Sequence, residues 1–462
     1  MTYQKEQNKL LQNYLDRYEK HGNKSVELII SSECNQSCEY CYIFKHGHKM
    51  YPPEANDKNN ILTNLKILLK YLEDSGYDFC DYDIFSGEFF DLSYWEDIFN
   101  IFYDFYKDKH HKDKDFMISI PTNGSFLFDI QKTEKIEEWI NKFKTINFYI
   151  FLSLSVDGPQ NLENKERPLK KDIEKKDDIF YDRLFNFMGK YYYTTHPMIT
   201  KEFVKNYKQN YDFWIDNIKK YNVIFKKHNG EEALGIPMFL EVRDANQWDN
   251  IEALQNYEKF LWYVAEKDLK DIHNNNLEEF ALHMADDFSD LMRNSGKYCS
   301  VQPYIIGLPN SHTKIPCSIQ GGSVIRVGDL AIVPCHRTCY PNLVYGNYIV
   351  ENGVITGVKA KNPMLAYKIK NFNPNRSMLK CTNCELRSFC MKGCLGAQLE
   401  TNKELFSPIE SLCDLFKIKY RTINEIAKYY GVYDIIKNHI KIPLERKEYI
   451  ENARKIIERS CY

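Results

Sequence analysis

The chain has 462 residues, room for roughly two to four domains, and a formal net charge of −2, so no bulk basic field exists to gather nucleic acid or anionic lipid. No apolar run nears the ~18 residues of a membrane span, and the charged start "MTYQKEQNKLLQNYLDRYEK" lacks the apolar stretch of a signal peptide. A cytoplasmic protein is expected, and in a reducing compartment its 14 cysteines point to metal rather than to disulfides.

In chain order, an amphipathic helix is expected over 1–23. A first strand follows at "VELIIS", and directly behind it "SSECNQSCEYCYIF" sets Cys34, Cys38 and Cys41 within eight residues. "NILTNLKILLKYLEDSG" has helical spacing and ends on glycine. "CDYDIF" is a strand leading into "SGE", and "LSYWEDIFNIFYDFYKDK" is a helix. "FMISIP" runs into "TNG", and "NFYIFLSLSV" into "DGP". Two further strands, "YYYTTHPMIT" and "IPMFLEVRD", flank a helix at "EFVKNYKQNYDFWIDNIKKY". Repeated strand–helix units imply parallel strands with right-handed crossovers. Six units over 24–245 give an α/β class and suit a partial (β/α)6 barrel. Residues 246–298 read as a helical bridge. Residues 299–415 form a small cysteine-rich domain with strand-like pieces "SVIRV", "LAIVPC" and "YIVENGVITGV". Residues 416–462 are a charged helical tail.

The three-cysteine loop raises a question of coordination. Thiolates are the usual ligands of iron–sulfur clusters. A [4Fe–4S] cube takes one ligand per iron, so three cysteines leave one iron open, and an open position is where chemistry happens. The loop also follows a strand of a βα array, the catalytic face of such barrels. The other reading is a structural zinc loop closed by His46 or His48, although these read better as solvent-facing loop residues.

"CNQSCEYCY" resembles the Cys-x3-Cys-x-aromatic-Cys signature of the radical S-adenosylmethionine (radical SAM) enzymes. In that family the open iron binds SAM, whose reductive cleavage gives a 5′-deoxyadenosyl radical. The resemblance assigns Cys34, Cys38 and Cys41 to the cluster and sets Tyr40 beside the adenine. "FSGEF" looks like the family's Gly-Gly-Glu motif, so Ser86, Gly87 and Glu88 would hold the SAM amino group. "IPTNGSF" and "LSLSVDGP" resemble strand-end segments of its peptide-modifying branch. Asn123, Ser155 and Arg167 are the SAM-binding residues so implied, with Lys175 or Arg183 as rivals to Arg167. Asp157 is the candidate acid/base, beside a turn-capping reading. Glu241, Arg243 and Asp244 are weaker candidates, for which a cap or ion pair is favoured.

"CTNCELRSFCMKGC" supplies Cys381, Cys384, Cys390 and Cys394, and Cys413 follows. With Cys317, Gly328 and Cys335 upstream, this is similar to the SPASM auxiliary-cluster domain, with six residues instead of four between Gly328 and Cys335. The resemblance gives Cys381, Cys384, Cys390 and Cys413 to one [4Fe–4S] cluster. It gives Cys317, Cys335 and Cys394 to the other, with Cys299 as fourth ligand and Cys339 as its rival. Cys80 reads as a buried inert thiol.

The family likeness implies a maturase with three [4Fe–4S] clusters and SAM that oxidises a peptide or protein side chain, by thioether or carbon–carbon crosslinking. A flavodoxin or ferredoxin would supply electrons. Only about 24 residues precede the first strand, too few for a leader-binding domain, so a separate leader-peptide-binding protein is a possible partner. A formylglycine maturase of the anaerobic sulfatase type is the nearest alternative. A non-catalytic iron–sulfur carrier or zinc scaffold is the alternative from another class. No nucleic acid or membrane partner is expected.

Overall fold

The computed structural model describes residues 3–21, 25–75, 81–109, 116–170, 176–191, 193–226, 232–235, 237, 239–269, 319, 323–372, 378–384, 386 and 393–429. Cys80, Cys299, Cys317, Cys390 and Cys461 lie outside them, as does Lys175. Two compact units result. The first comprises Met1–Pro197 and Ser318–Asn371, the second Met198–Cys317 and Phe372–Tyr462.

The first unit is built on one nine-stranded sheet. Its strands are β1 (Ser25–Ser31), β2 (Asp81–Ser86), β3 (Phe116–Thr122), β4 (Phe148–Leu154) and β5 (Thr194–Thr195), then β10 (Ser323–Arg326), β11 (Ala331–Val333), β12 (Gly346–Glu351) and β13 (Val354–Ala360). The spatial order is β13-β12-β11-β10-β1-β2-β3-β4-β5. β10 lies parallel to β1, with Val26 opposite Ser323 and Ile29 opposite Arg326. β1 to β5 are parallel throughout, and β10 to β13 form an antiparallel meander.

The two faces of the sheet differ. Tyr82, Ile84, Ile118, Ile120, Phe148, Ile150 and Leu152 alternate onto one face and are buried. There Tyr82 meets Phe102 edge-on at 5.2 Å, and Phe143 lies 5.2 Å from Phe148. The helices Trp95–Tyr106 and Ile130–Lys144 supply these partners, as the "WEDIFNIFYDFY" periodicity predicts. The chain's abundant aromatics make this core. The opposite face carries Asp81, Asp83, Phe85, Met117, Ser119, Pro121 and Phe151, all half-buried. A sheet with one packed face and one half-buried face of mixed polarity has a surface on which a ligand can lie.

In the second unit, β6 (Met198–Ile199) pairs in parallel with β9 (Leu240–Glu241), and β7 (Ile224–Lys226) with β8 (Glu232–Leu234) forms a hairpin. The helix Ile251–Leu269 packs on the helix Glu410–Tyr429. No helix among the described residues is long and apolar enough to cross a membrane.

Several expectations change. The strand expected at 191–200 is two short pieces, β5 on β4 and β6 on β9, interrupted at Pro197, whose ring removes a ladder donor. The strand-like "YIVENGVITGV" is a hairpin, turned at Asn352 and Gly353 with φ of 53° and 76°, the pattern Asn-Gly favours. His46 and His48 belong to the helix Tyr42–Met50 rather than to a loop. β10 to β13, which lie in the cysteine-rich stretch, join the sheet of β1.

Candidate active site

The three-cysteine loop spans the gap between β1 and the helix Tyr42–Met50, which Cys41 caps. It is held on three sides. Along one, it runs antiparallel to residues 166–170: Ser37 N donates to Pro168 O (3.0 Å), Glu39 N to Glu166 O (3.2 Å), and Lys170 N to Asn35 O (2.8 Å). Along the second, Gly87 closes on it. Gly87 N donates to Ser31 O at 2.9 Å, and Glu88 N to Glu33 O at 2.8 Å. A Cβ on Gly87 would sit 2.0 Å from the Glu33 carbonyl oxygen, so only glycine fits. On the third side, Asn123 Nδ2 donates to Asn35 Oδ1 at 2.7 Å, and Asn35 Nδ2 to Ser125 Oγ at 2.9 Å.

Burial, with Glu88 adding to it, pushes the Cys34 thiol up to about 12. Burial carries the Cys38 thiol higher still, against the pull of Arg167. Metal binding at such thiols must expel their protons. Among the described residues no three His, Cys, Asp or Glu side chains are disposed to hold one metal ion.

Glu88 is fully buried and accepts from Thr122 Oγ1 (2.7 Å), Asn123 N (2.6 Å) and Phe90 N (3.2 Å). Burial raises its carboxyl above the usual range despite these donors. Beside it the Ser86 hydroxyl is buried with no hydrogen-bond partner. Ser155, half-buried, donates its N–H to Thr122 O at 2.7 Å.

Asp157 is fully buried. It accepts from the Tyr40 hydroxyl, and Arg167 Nε lies 2.9 Å from Oδ2 as an ion pair outside hydrogen-bond alignment. The Arg167 guanidinium stands 5.3 Å over the Tyr40 ring. Glu163 accepts from Asp157 N at 2.6 Å and pairs with Lys176, which donates to Asn123 O at 2.9 Å. Tyr40, Asp157, Arg167, Asn123 and the cysteine loop are therefore one connected network. Arg183 instead donates to Leu127 O and Phe128 O.

Two histidines on the accessible side went unnoticed in the sequence. His196 Nδ1 pairs with Ser153 Oγ at 2.8 Å, and burial lowers its pKa, leaving it neutral near pH 7. His336 Nδ1 pairs with Glu27 at 2.8 Å and stacks on Phe85 at 4.2 Å. Each partner is 43 or more residues away in sequence, which no motif signals.

The later cysteines divide between the units. In the first, Cys335 meets Thr338 Oγ1 at 3.2 Å. Cys339 is fully buried among Ile29, Met50 and Val333 and donates to Cys335 O and His336 O. In the second, Cys381, Cys384 and Cys413 line a cavity of about 50 Å³ with Leu386, Leu412 and Phe416. Cys394, which caps the helix Leu395–Asn402, is not among its lining residues. Glu241 pairs with Lys419 at 2.8 Å and accepts from Tyr257 at 2.6 Å, and Asp244 caps Asn246.

No family model matches the chain. A radical SAM cyclopropyl synthase, TigE of Paramaledivibacter caminithermalis, is 22% identical over 432 residues, 89% of this chain and 76% of that protein. Native anSMEcpe with bound AdoMet superposes with a TM-score of 0.55 at 15% identity, covering 88% of this chain and 99% of that one. Its complex with AdoMet and Cp18Cys peptide gives 0.52 at 16%, with the same coverage. The chain shares the fold of these anSMEcpe structures. In this fold the three-cysteine loop, SGE, TNG and DGP all stand at the carboxy ends of β1 to β4, in that order.

Proposed function

We propose that this protein is a radical SAM maturase that oxidises a peptide side chain, with carbon–carbon bond formation as the favoured outcome. The observation that carries the reading is the loop of Cys34, Cys38 and Cys41, bound on three sides by the ends of β2 and β3 and by the Arg167 segment. Three thiols so fixed fit a cube with one open iron, and the orphaned Ser86 hydroxyl fits a polar group of SAM. With cluster and SAM bound, that site would supply the radical chemistry for abstracting hydrogen from an unactivated carbon.

The chain's own residues do the holding. Gly87 and Glu88 bring the end of β2 against the loop. Asn123 ties β3 to it. Tyr40 and Arg167 flank the site, and Asp157 acts between them as a positioning group, since none of its surface is exposed to take a substrate proton. The half-buried face of Asp83, Ser119 and Phe151 is the surface on which substrate would lie. Cys381, Cys384 and Cys413, with Cys390, would ligate one auxiliary cluster in an apolar cavity, where low polarity tunes its potential. Cys335 would be a ligand of the other. Cys339, packed in the core with its S–H bonded to carbonyls, would not be a ligand. A flavodoxin or ferredoxin would deliver electrons, and a separate protein could bind a leader peptide.

The likeness to a cyclopropyl synthase supports the carbon–carbon branch, and the likeness to anSMEcpe with a bound peptide supports a peptide substrate. Co-expression with the short open reading frame beside the gene, followed by mass spectrometry, tests this. Loss of two hydrogens with new carbon connectivity is expected. A thiol or alcohol turned to aldehyde would instead favour the formylglycine reading.

A further inference from the structure

Gln36 stands between two candidate ligands and is 2% exposed. Its backbone N–H donates to Cys34 Sγ at 3.4 Å, and its Oε1 lies 3.5 Å from Cys38 Sγ. Its Nε2 is buried without a hydrogen-bond partner. The main chain here has little freedom, since Gln36 bridges antiparallel to Leu169 and both neighbours bond to the same segment. A buried amide donor with no acceptor bears its full desolvation penalty, and native structures keep such groups where something else is meant to meet them.

The side-chain contact as it stands suits a thiol, which donates S–H to Oε1. An iron-bound thiolate has no proton to donate, and two acceptors at 3.5 Å repel. A half turn about the last torsion exchanges Oε1 and Nε2, groups alike in shape. It aims N–H at the sulfur and gives the orphaned donor its acceptor.

We propose that Gln36 sets the potential of the SAM-binding cluster by donating a side-chain N–H to Cys38 Sγ, beside its backbone N–H on Cys34. The inference rests on the radical SAM reading. Hydrogen bonds to cluster sulfurs withdraw electron density and stabilise the more negative, reduced state, which raises the potential. Gln36 would thereby hold the cluster within reach of a protein electron donor. No family motif fixes this position, which lies inside the x3 gap of the loop.

The test is an anaerobic redox titration of the EPR signal that responds to SAM, in wild type, Gln36→Leu and Gln36→Glu. Both variants are expected to load iron and to show a more negative midpoint, with the glutamate lower than the leucine. An unchanged midpoint in Gln36→Leu at full iron overturns the proposal. Should neither variant load, pulsed EPR of reduced wild type labelled with amide-15N glutamine decides. A 15N coupling supports the proposal and its absence overturns it. A wild-type protein with no SAM-responsive cluster would overturn the radical SAM reading itself, a distinguishable result.

Discussion

Gly87 and Asp157 show how little of this site tolerates change. In Gly87→Ala the new methyl would lie 2.0 Å from the Glu33 carbonyl oxygen, and hydrogen bonds fix the backbone of both residues. The loop must move, so iron loading and melting temperature are both expected to fall. Wild-type values for both would refute the close approach. Asp157→Ala leaves the Arg167 charge buried without its partner, which typically costs roughly 3–5 kcal/mol. Tyr40→Phe removes only one hydrogen bond to the same carboxylate and should cost about 1–3 kcal/mol. Equal losses in denaturant unfolding of the two variants would contradict the ranking.

At the scale of elements, motifs at strand ends were legible because they are local: a strand followed by "SGE" or "TNG" carries its position with it. The partners of those motifs were not. The antiparallel run of 35–39 beside 166–170 joins segments over 100 residues apart, and Lys176 reaches Glu163 and Asn123, 13 and 53 residues away. The short strands β5, β6 and β9, two residues each, carry no periodicity to detect. The β12–β13 turn was legible in its Asn-Gly pair but was read through as one strand. Asp244 and Glu241 came out as cap and ion pair. Burial would raise the Glu241 carboxyl, yet Lys419 and Arg243 hold it at about 2. A carboxyl depressed in the folded state contributes stability above its unfolded pKa, near 4.3, and loses it as pH falls toward about 2. Glu241→Gln should flatten that part of the pH dependence of unfolding, and an unchanged slope would show the pair to be inert.

For the whole molecule, strands some 300 residues apart share one sheet, β10 pairing with β1. β1 has β2 on one side and β10 on the other, and Arg326 donates to Met50 O at 2.6 Å and Cys339 O at 2.9 Å. A fragment ending at residue 245 would leave β1 as an open edge, which invites association with other chains. It is expected to aggregate, and cooperative unfolding of a monomeric fragment would contradict the shared sheet. The sequence carried no sign of this, because parallel pairing between distant strands leaves no local pattern.

The proposed chemistry depends on one loop holding a cluster that opens a single iron to SAM. The direct measurement is 5′-deoxyadenosine release from SAM by anaerobically reconstituted, chemically reduced protein, wild type against the Cys34→Ala, Cys38→Ala, Cys41→Ala triple variant. Turnover in wild type and none in the variant is the result expected. No 5′-deoxyadenosine from iron-loaded wild type, or undiminished release from the variant, would contradict it.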